Sequence, residues 1–251
     1  MRLIRSFIIA FSTYSKIPMP HVDWSEENKR YSMCFFPLIG AAVGLVLAAW
    51  LWICKLLEIG AFLQGSIAAI LPLIVTGGIH MDGFMDTMDA MASWQTRERR
   101  LQILKDSHTG AFAVIGCTSY LLVSAGLYGE LNSIWPMLCV FVLSRTLSAL
   151  TLNHLPKANP GGMLSGFADA AKKRAVDIAC GIYIAVCAVL LIVFAKWVGL
   201  AVLAGAGICL LYYRHFSMKH FGGVTGDLAG WFLQVTELVC LLVIALGGKI
   251  V

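Results

Sequence analysis

Long apolar segments alternate with short polar ones along the whole chain. Seven of the apolar segments, each of about 17–23 residues, are long enough to cross the hydrocarbon core of a bilayer as helices. An earlier apolar stretch, residues 3–12, is too short to cross, and Arg2 and Arg5 flank and interrupt it, so we expect an N-terminal interfacial or re-entrant segment there. The predicted spans are residues 37–56, 60–79, 110–129, 132–152, 176–195, 197–213 and 228–248.

The composition agrees with a membrane protein. Of the 251 residues, 59% are hydrophobic and 13% are charged, whereas soluble domains carry about 25% charged residues, and the mean hydropathy is +0.81. We therefore predict an all-α integral membrane protein with about seven transmembrane helices, folded as one domain over residues 1–251. The eight cysteines form no CxxC pair and lie mostly in apolar segments, which indicates buried thiols rather than a disulfide framework or a zinc site.

The distribution of positive charge predicts the orientation. Fifteen Lys and Arg residues lie in the N-terminal segment and in the loops after the second, fourth and sixth spans, and three lie on the opposite side. The positive-inside rule then places the N-terminus and these loops in the cytoplasm, and the C-terminus outside. Because the polar motifs fall on the same side, the pattern favours an enzyme that acts on charged cytoplasmic substrates. The modest net charge of +5 gives no indication of nucleic-acid binding.

The densest polar motif, residues 77–90, follows the second span. Its carboxylates Asp82, Asp86 and Asp89 are spaced i, i+4 and i+7, which puts them on one helical face within an arc of about 60°. Mg²⁺ commonly binds one or two carboxylates together with substrate phosphates, so the spacing predicts a metal site for a phosphate-bearing substrate. The alternative is a solvated acidic face near the start of a helix.

Two glycine-rich turns lie on the same side of the membrane. Gly77 and Gly78 open the acidic motif, and residues 222–227 precede the last span. Backbone N–H groups in such turns, ahead of a helix, bind phosphate oxygens, so both turns are candidate substrate-binding sites. Close packing between membrane helices is the alternative reason for the glycines.

Two ionisable residues, Arg145 and Glu237, lie inside predicted spans. Counting from the cytoplasmic ends of their spans, both lie about 12–14 Å deep. Charged groups at such depth are costly and are usually paired or functional. The matched depths predict an ion pair, and the alternative is that Arg145 reaches a substrate phosphate.

Five separated motifs lie along nearly the whole chain. They are FSTYSKIPMP (11–20), FFPLIG (35–40), GGIHMDGFMDTMDA (77–90), LKDSHTGAF (104–112) and GGVTGDLAGWFLQVTEL (222–238). These motifs, in this order, resemble those of the cobalamin synthase family, the adenosylcobinamide-GDP ribazoletransferases. The resemblance implies an enzyme of the bacterial inner (cytoplasmic) membrane that acts in the last steps of vitamin B12 assembly. Such an enzyme joins α-ribazole, or its 5′-phosphate, to adenosylcobinamide-GDP and releases GMP, with Mg²⁺.

The reaction implied is a phosphoryl transfer from a diphosphate to a ribose hydroxyl, which needs charge neutralisation and a positioned hydroxyl. We expect Mg²⁺ on the diphosphate and a general base among the polar residues of the motifs. The expected metal ligands are Asp82, Asp86 and Asp89. The expected catalytic residues are His80, Asp89, Asp227 and Lys105, with Arg97, Arg99 or Arg100 as a further phosphate contact. The expected substrate-binding residues are Gly77, Gly78, Arg145, Gly223, Thr225 and Gly226.

Two other functions are weighed against this one. A phospholipid-synthesising enzyme of the CDP-alcohol phosphotransferase type also places aspartates at a cytoplasmic membrane face, but the Phe84-Met85-Asp86 that follows Asp82-Gly83 departs from that pattern. A cation transporter would need polar residues along its spans, where only Arg145 and Glu237 are available. The expected partners are the small-molecule substrates and the lipid bilayer, with no nucleic acid, and a homo-oligomer is compatible with the chain.

Overall fold

The computed structural model describes residues 2–131, 133–159 and 163–249. Residue 132, where one predicted span begins, lies outside this set. Within the described residues the chain forms helices joined by short turns, together with one isolated β-bridge. In chain order the helices are α1 (Arg2–Tyr14), α2 (Glu26–Lys29), α3 (Ser32–Leu56), α4 (Ala61–Thr76), α5 (Ile79–Ala92), α6 (Arg97–Ile103), α7 (Ala111–Gly129), α8 (Trp135–His154), α9 (Met163–Ala170), α10 (Lys173–His220) and α11 (Gly226–Gly247).

The prediction of an all-α membrane protein is confirmed. Five of the described helices are long and apolar enough to cross a bilayer, and the number rises to six if α4 and α5 together form one bent span. Helices and closed barrels alone satisfy every backbone polar group in lipid, which explains why the apolar runs are helical. The five are α3, α7, α8, α10 and α11.

Two predicted spans, residues 176–195 and 197–213, lie within the single long helix α10. Its helical geometry breaks at Lys196, where φ is 48° and ψ is −123°. A Cβ atom on Gly199 would lie 2.0 Å from the carbonyl oxygen of Leu191, whereas eight residues of straight helix rise about 12 Å. The chain therefore folds back at Lys196 and brings Gly199 against Leu191.

The predicted span 60–79 differs from the structure at its C-terminal end. Helix α4 ends at Thr76, and α5 begins at Ile79 after a bend of 100°. Gly77 and Gly78 make the bend, with φ of 67° and 76°. These positive values strain residues that carry a Cβ atom but not glycine, so the acidic motif lies on a helix of its own.

The N-terminal segment is an amphipathic helix, α1. Ile9, Phe11 and Tyr14 are buried, while Leu3 and Ile4 are exposed beside the arginines. With 13 residues the helix is about 20 Å long, which is too short to cross the hydrocarbon core. It packs against α3, which brings Tyr14 to the region described below.

Candidate functional site

The site forms where α5 crosses the first turns of α11 so closely that the two backbones touch. A Cβ atom on Gly83 would lie 2.7 Å from both the Cα and the carbonyl oxygen of Asp227. A Cβ atom on Gly230 would lie 2.7 Å from the carbonyl oxygen of His80. Only glycine at these positions lets the helices come so close. The crossing places the acidic face of α5 beside Asp227, at the N-terminal end of α11.

Several carboxylates crowd at this crossing. The pKa of Asp86 is raised to about 7 by burial and by the negative charges of Asp82, Asp227 and Asp89, in that order of effect. None of the ion pairs among the described residues includes Asp82, Asp86 or Asp227. A cluster of this kind gains stability when a cation joins it.

Asp89 makes contacts that differ from those we expected. Its two carboxylate oxygens accept hydrogen bonds from the backbone N–H groups of Gly110, at 2.6 Å, and Ala113, at 2.8 Å. Helix α7 begins at Ala111, and its N-cap residue, Gly110, has no side chain to cap it. A carboxylate satisfies these N–H groups and is stabilised by the helix dipole. Asp89 therefore caps α7 from another helix, which is a structural role that the sequence analysis did not predict.

The aspartates do not form a finished metal cage. Among the described residues, no group of three or more His, Cys, Asp or Glu side chains is arranged to hold a metal ion. The predicted trio of Asp82, Asp86 and Asp89 is therefore not assembled, because Asp89 is bound to α7. The negative charges that raise the pKa of Asp86 most are those of Asp82 and Asp227, and the contact of Gly83 with Asp227 brings the two helices together here.

A cavity of about 270 Å³ opens beside this cluster. Its polar lining is formed by Asp82, Ser148, Lys157, Asn159, Thr225 and Asp227. Its apolar lining includes Tyr14, Met33, Phe36, Ala149, Leu152 and Leu233. The cavity thus suits a molecule with an anionic or hydroxylated part and a flat apolar part.

His80 borders the cavity among aromatic rings. Its imidazole stacks on Tyr14, with ring centroids 6.3 Å apart and an interplanar angle of 14°. The ring of Phe36 meets it edge-on at 5.9 Å. His80 is 5% exposed, and its Nε2 atom is buried with no hydrogen-bond partner among the described residues. The position agrees with the predicted involvement of His80 in the site.

The second glycine-rich turn supports the cavity in two ways. Thr225 caps α11 by accepting a hydrogen bond from the N–H of Leu228 at 3.2 Å, and both Thr225 and Gly226 border the cavity, as expected for substrate-binding residues. Gly223 does not border it. A Cβ atom there would lie 2.4 Å from the carbonyl oxygen of Pro156, so this glycine allows a neighbouring segment to pass.

The first glycine pair and the predicted cations lie away from the cavity. Gly77 packs against the side chain of Lys16, and neither it nor Gly78 is among the described residues that border the cavity. They make the bend between α4 and α5, and their expected role in substrate binding stays a prediction. Lys105 is exposed beyond the end of α6, also outside the cavity lining. Its predicted catalytic role is therefore not supported by its position.

The arginines of α6 contact protein groups. The guanidinium of Arg97 packs over Gly222, and Arg100 Nη1 lies 3.0 Å from Nδ1 of His220. These contacts join α6 to the end of α10. They give a structural reason for the positive charge in this loop, in addition to its effect on orientation.

The predicted ion pair between Arg145 and Glu237 is confirmed. Arg145 Nη1 lies 2.7 Å from Glu237 Oε1, and the two side chains are 1% and 4% exposed. Ser144 Oγ donates to the same carboxylate oxygen at 2.8 Å, and the guanidinium donates to the carbonyl oxygen of Phe141 at 3.0 Å. The pair joins α8 to α11, and because Arg145 does not border the cavity, its position gives no support to the expected role in substrate binding.

Many of the cavity residues were missed by the sequence analysis, and four of them carry the polar or aromatic character of the lining. Lys157 and Asn159 lie in the turn after α8, and Tyr14 and Phe36 lie on α1 and α3. The motifs FSTYSKIPMP and FFPLIG contain the two aromatic residues, so the family resemblance could have indicated that Tyr14 and Phe36 belong to the site. Lys157 carried no signal beyond its contribution to the positive-inside pattern.

Comparison with known proteins agrees with this arrangement. A family model for cobalamin-5-phosphate synthase matches residues 6–245. A protein of Lachnoclostridium phytofermentans named adenosylcobinamide-GDP ribazoletransferase is 39% identical over 253 residues, covering 100% of this chain and 97% of the relative. Proteins of the same name from Clostridium botulinum and Desulfitobacterium hafniense are 31% and 32% identical, with 94% and 96% of this chain covered, and 95% and 97% of the relatives.

No solved structure matches the chain. The family model and the relatives, in contrast, cover α1 to α11 almost completely, including every element that forms the cavity. The similarity thus extends over the whole fold and is not confined to one motif. The chain belongs to the cobalamin-5-phosphate synthase family.

Proposed function

We propose that this protein is an adenosylcobinamide-GDP ribazoletransferase that joins α-ribazole, or its 5′-phosphate, to adenosylcobinamide-GDP and releases GMP. The relatives that carry this name support the reaction. The observation that carries it in the structure is the cluster of Asp82, Asp86 and Asp227, in which the neighbouring negative charges raise the pKa of Asp86 and which lies at the edge of a partly aromatic cavity.

The donor set fits Mg²⁺. This ion is usually held by one or two carboxylates, waters and substrate phosphates rather than by a complete protein cage. The absence of a ready three-residue cage in the described part of the chain is therefore what a site completed by a diphosphate would show. Asp82 and Asp86 would hold the ion, whose charge would stabilise the departing GMP.

The cavity suits the acceptor. The base of α-ribazole is a flat aromatic ring system, which matches the rings of Tyr14 and Phe36. The corrinoid macrocycle is far larger than the cavity of about 270 Å³, so it would remain outside while its diphosphate reaches the carboxylates. The attacking hydroxyl would then lie near Asp227, which borders the cavity beside the metal ligands and would accept the proton.

The proposed location is the bacterial inner membrane, with the cavity facing the cytoplasm. The several apolar helices support a multi-pass membrane protein. The excess of Lys and Arg in the loops on the side of the acidic motif supports the orientation. A cytoplasmic site is required for a GDP-linked substrate to reach it.

The test is a reconstituted reaction. Purified protein in lipid or detergent is incubated with Mg²⁺, adenosylcobinamide-GDP and α-ribazole, and corrinoid product and GMP are quantified. We expect the two products in equal amounts, neither in the presence of EDTA, and no GMP without the acceptor. Release of GDP instead of GMP would place the attack at another bond. Turnover of a CDP-linked alcohol in place of the GDP-linked substrate would reject the proposal.

A further inference from the structure

The cavity has one cationic side chain among the described residues that border it, and that residue is Lys157. The basic residues that the motifs suggested, Lys105 and the arginines of α6, lie elsewhere. Together with the carboxylates of Asp82, Asp86 and Asp227, a phosphate-bearing substrate brings more negative charge than one divalent ion neutralises. The site therefore needs a second positive group close to the carboxylates.

The backbone holds Lys157 beside the second glycine-rich turn. Val224 and Lys157 form a parallel β-bridge, in which the N–H of Val224 donates to the carbonyl oxygen of Pro156 at 2.9 Å. The N–H of Ala158 donates to the carbonyl oxygen of Val224 at 3.0 Å. These bonds fix the lysine next to the segment that continues through Thr225 to Asp227. Its position at the cavity thus depends on secondary structure rather than on a flexible loop.

The Lys157 ammonium is paired with a carboxylate that comes from outside the cavity lining. Asp169, on α9, forms an ion pair with it. The lysine side chain is 22% exposed and the aspartate side chain is 68% exposed. Helix α9 is anchored beside the cavity by Phe167, which is buried and lies 5.9 Å from the ring of Tyr14. The anionic group of Asp169 thus approaches the cavity at its one described cation.

We propose that Lys157 binds a phosphate group of the substrate in this cavity, and that Asp169 takes the place of that phosphate in the substrate-free protein. The proposal rests on the proposed function for the identity of the phosphate-bearing substrate. An exposed carboxylate competes weakly for an ammonium group. A phosphate carries more charge and more acceptor oxygens, so it displaces the carboxylate.

The phosphate has two possible sources, which present the same chemistry to the lysine. One is the diphosphate of the GDP-linked donor, and the other is the 5′-phosphate of the phosphorylated acceptor. The two are separated by measuring the KM of each substrate with α-ribazole and then with its 5′-phosphate. A change confined to the phosphorylated acceptor identifies the second source, and a change in the donor KM with either acceptor identifies the first.

The variants are Lys157→Gln, Lys157→Arg and Asp169→Asn, with Lys173→Gln as the matched control. Lys173 lies on the same side of the protein, is exposed and does not border the cavity.

We expect Lys157→Gln to raise the KM of the phosphate-bearing substrate about tenfold or more, with a smaller change in kcat. Lys157→Arg should restore most of the loss, because it keeps the charge. Asp169→Asn should lower the same KM, because it removes the competing carboxylate. Equal KM values for Lys157→Gln and Lys173→Gln, or a KM for Asp169→Asn at or above that of the wild type, would overturn the proposal.

A binding measurement separates this inference from the proposed reaction. Inorganic diphosphate with Mg²⁺ is titrated into the purified wild-type protein and into Lys157→Gln by calorimetry. Weaker binding to Lys157→Gln supports the inference even if the wild-type protein does not catalyse the transfer. Wild-type transfer activity together with diphosphate binding and KM values that do not depend on Lys157 would refute the inference and leave the proposed reaction standing.

Discussion

Removing one partner of the buried ion pair between α8 and α11 should reveal an asymmetry between its two charges. In Glu237→Met, the Arg145 guanidinium would still donate a hydrogen bond to the carbonyl oxygen of Phe141, but this acceptor is neutral and does not balance the positive charge. An arginine in a protein cannot lose its proton. In Arg145→Met, the Glu237 carboxylate would retain the hydroxyl of Ser144 as a donor, and it can also take up a proton. The single loss of Glu237 should therefore be the more damaging.

The magnitude follows from the burial of the pair. Both side chains are almost fully excluded from solvent, at 1% and 4% exposure, and breaking such a pair costs about 3–5 kcal/mol. For a chain of this size, that corresponds to a fall in Tm of about 6–20 °C. Replacing both partners by methionine removes the stranded charge, and such apolar replacements are often neutral or stabilising. The double variant should thus be more stable than Glu237→Met.

The assay is thermal unfolding in one detergent for the wild-type protein, both single variants and the double variant. Leu122→Met, on the exposed face of α7, is a control for a methionine change without loss of charge. The expected order of Tm places Glu237→Met lowest, Arg145→Met next and the double variant above both. A double variant that loses as much stability as the two single variants combined would refute the reasoning, because independent sites add.

The remaining predictions concern the carboxylates and the orientation. Asp82→Asn and Asp86→Asn should each lower turnover about a hundredfold without changing the amount of protein in the membrane; full activity in either would contradict its role as a ligand. Asp89→Asn should instead lower the free energy of unfolding by about 0.5–2 kcal/mol, seen as a lower Tm, and keep most turnover at low temperature. Because Mg²⁺ competes with the proton that Asp86 holds below about pH 7, titrations at pH 6, 7 and 8 should show tighter binding at higher pH, by about fivefold from pH 6 to pH 7 and about twofold from pH 7 to pH 8; equal affinity at pH 6 and 8 would exclude this competition. Ser107→Cys, at an exposed position, should react with a membrane-impermeant thiol reagent only from the cytoplasmic side, judged against the wild-type background, and labelling from outside would reverse the orientation.

Local sequence pattern predicted the features that depend on neighbours along the chain. Hydropathy located the apolar helices, and the positive φ values at Gly77 and Gly78 are what a glycine pair at the end of a helix allows. The Arg145–Glu237 pair was also predictable, because depth in the membrane reduces the possible partners to a few charged residues.

Features set by contacts between distant segments were not predictable in the same way. The spacing of Asp89 from Asp82 and Asp86 fits a shared helical face, but its partners are N–H groups of residues 110 and 113 on another helix. Lys157 reaches the cavity through a β-bridge to Val224, 67 residues along the chain. Neither contact leaves a periodic signal, because each joins a single residue to a backbone segment whose position depends on the packing of several helices.

Gly83 on α5 contacts the backbone of α11, and Gly230 on α11 contacts the backbone of α5. The distance between the two helices, and with it the spacing of the carboxylates, is therefore set by main-chain contact. Side chains in a membrane protein adjust their rotamers when the surrounding lipid changes, but two touching backbones have no such freedom. A thicker or thinner bilayer that tilts α11 should therefore carry α5 with it as one unit. The angle between α4 and α5 would then change at Gly77 and Gly78. The distances among Asp82, Asp86 and Asp227 should therefore stay the same in membranes of different thickness.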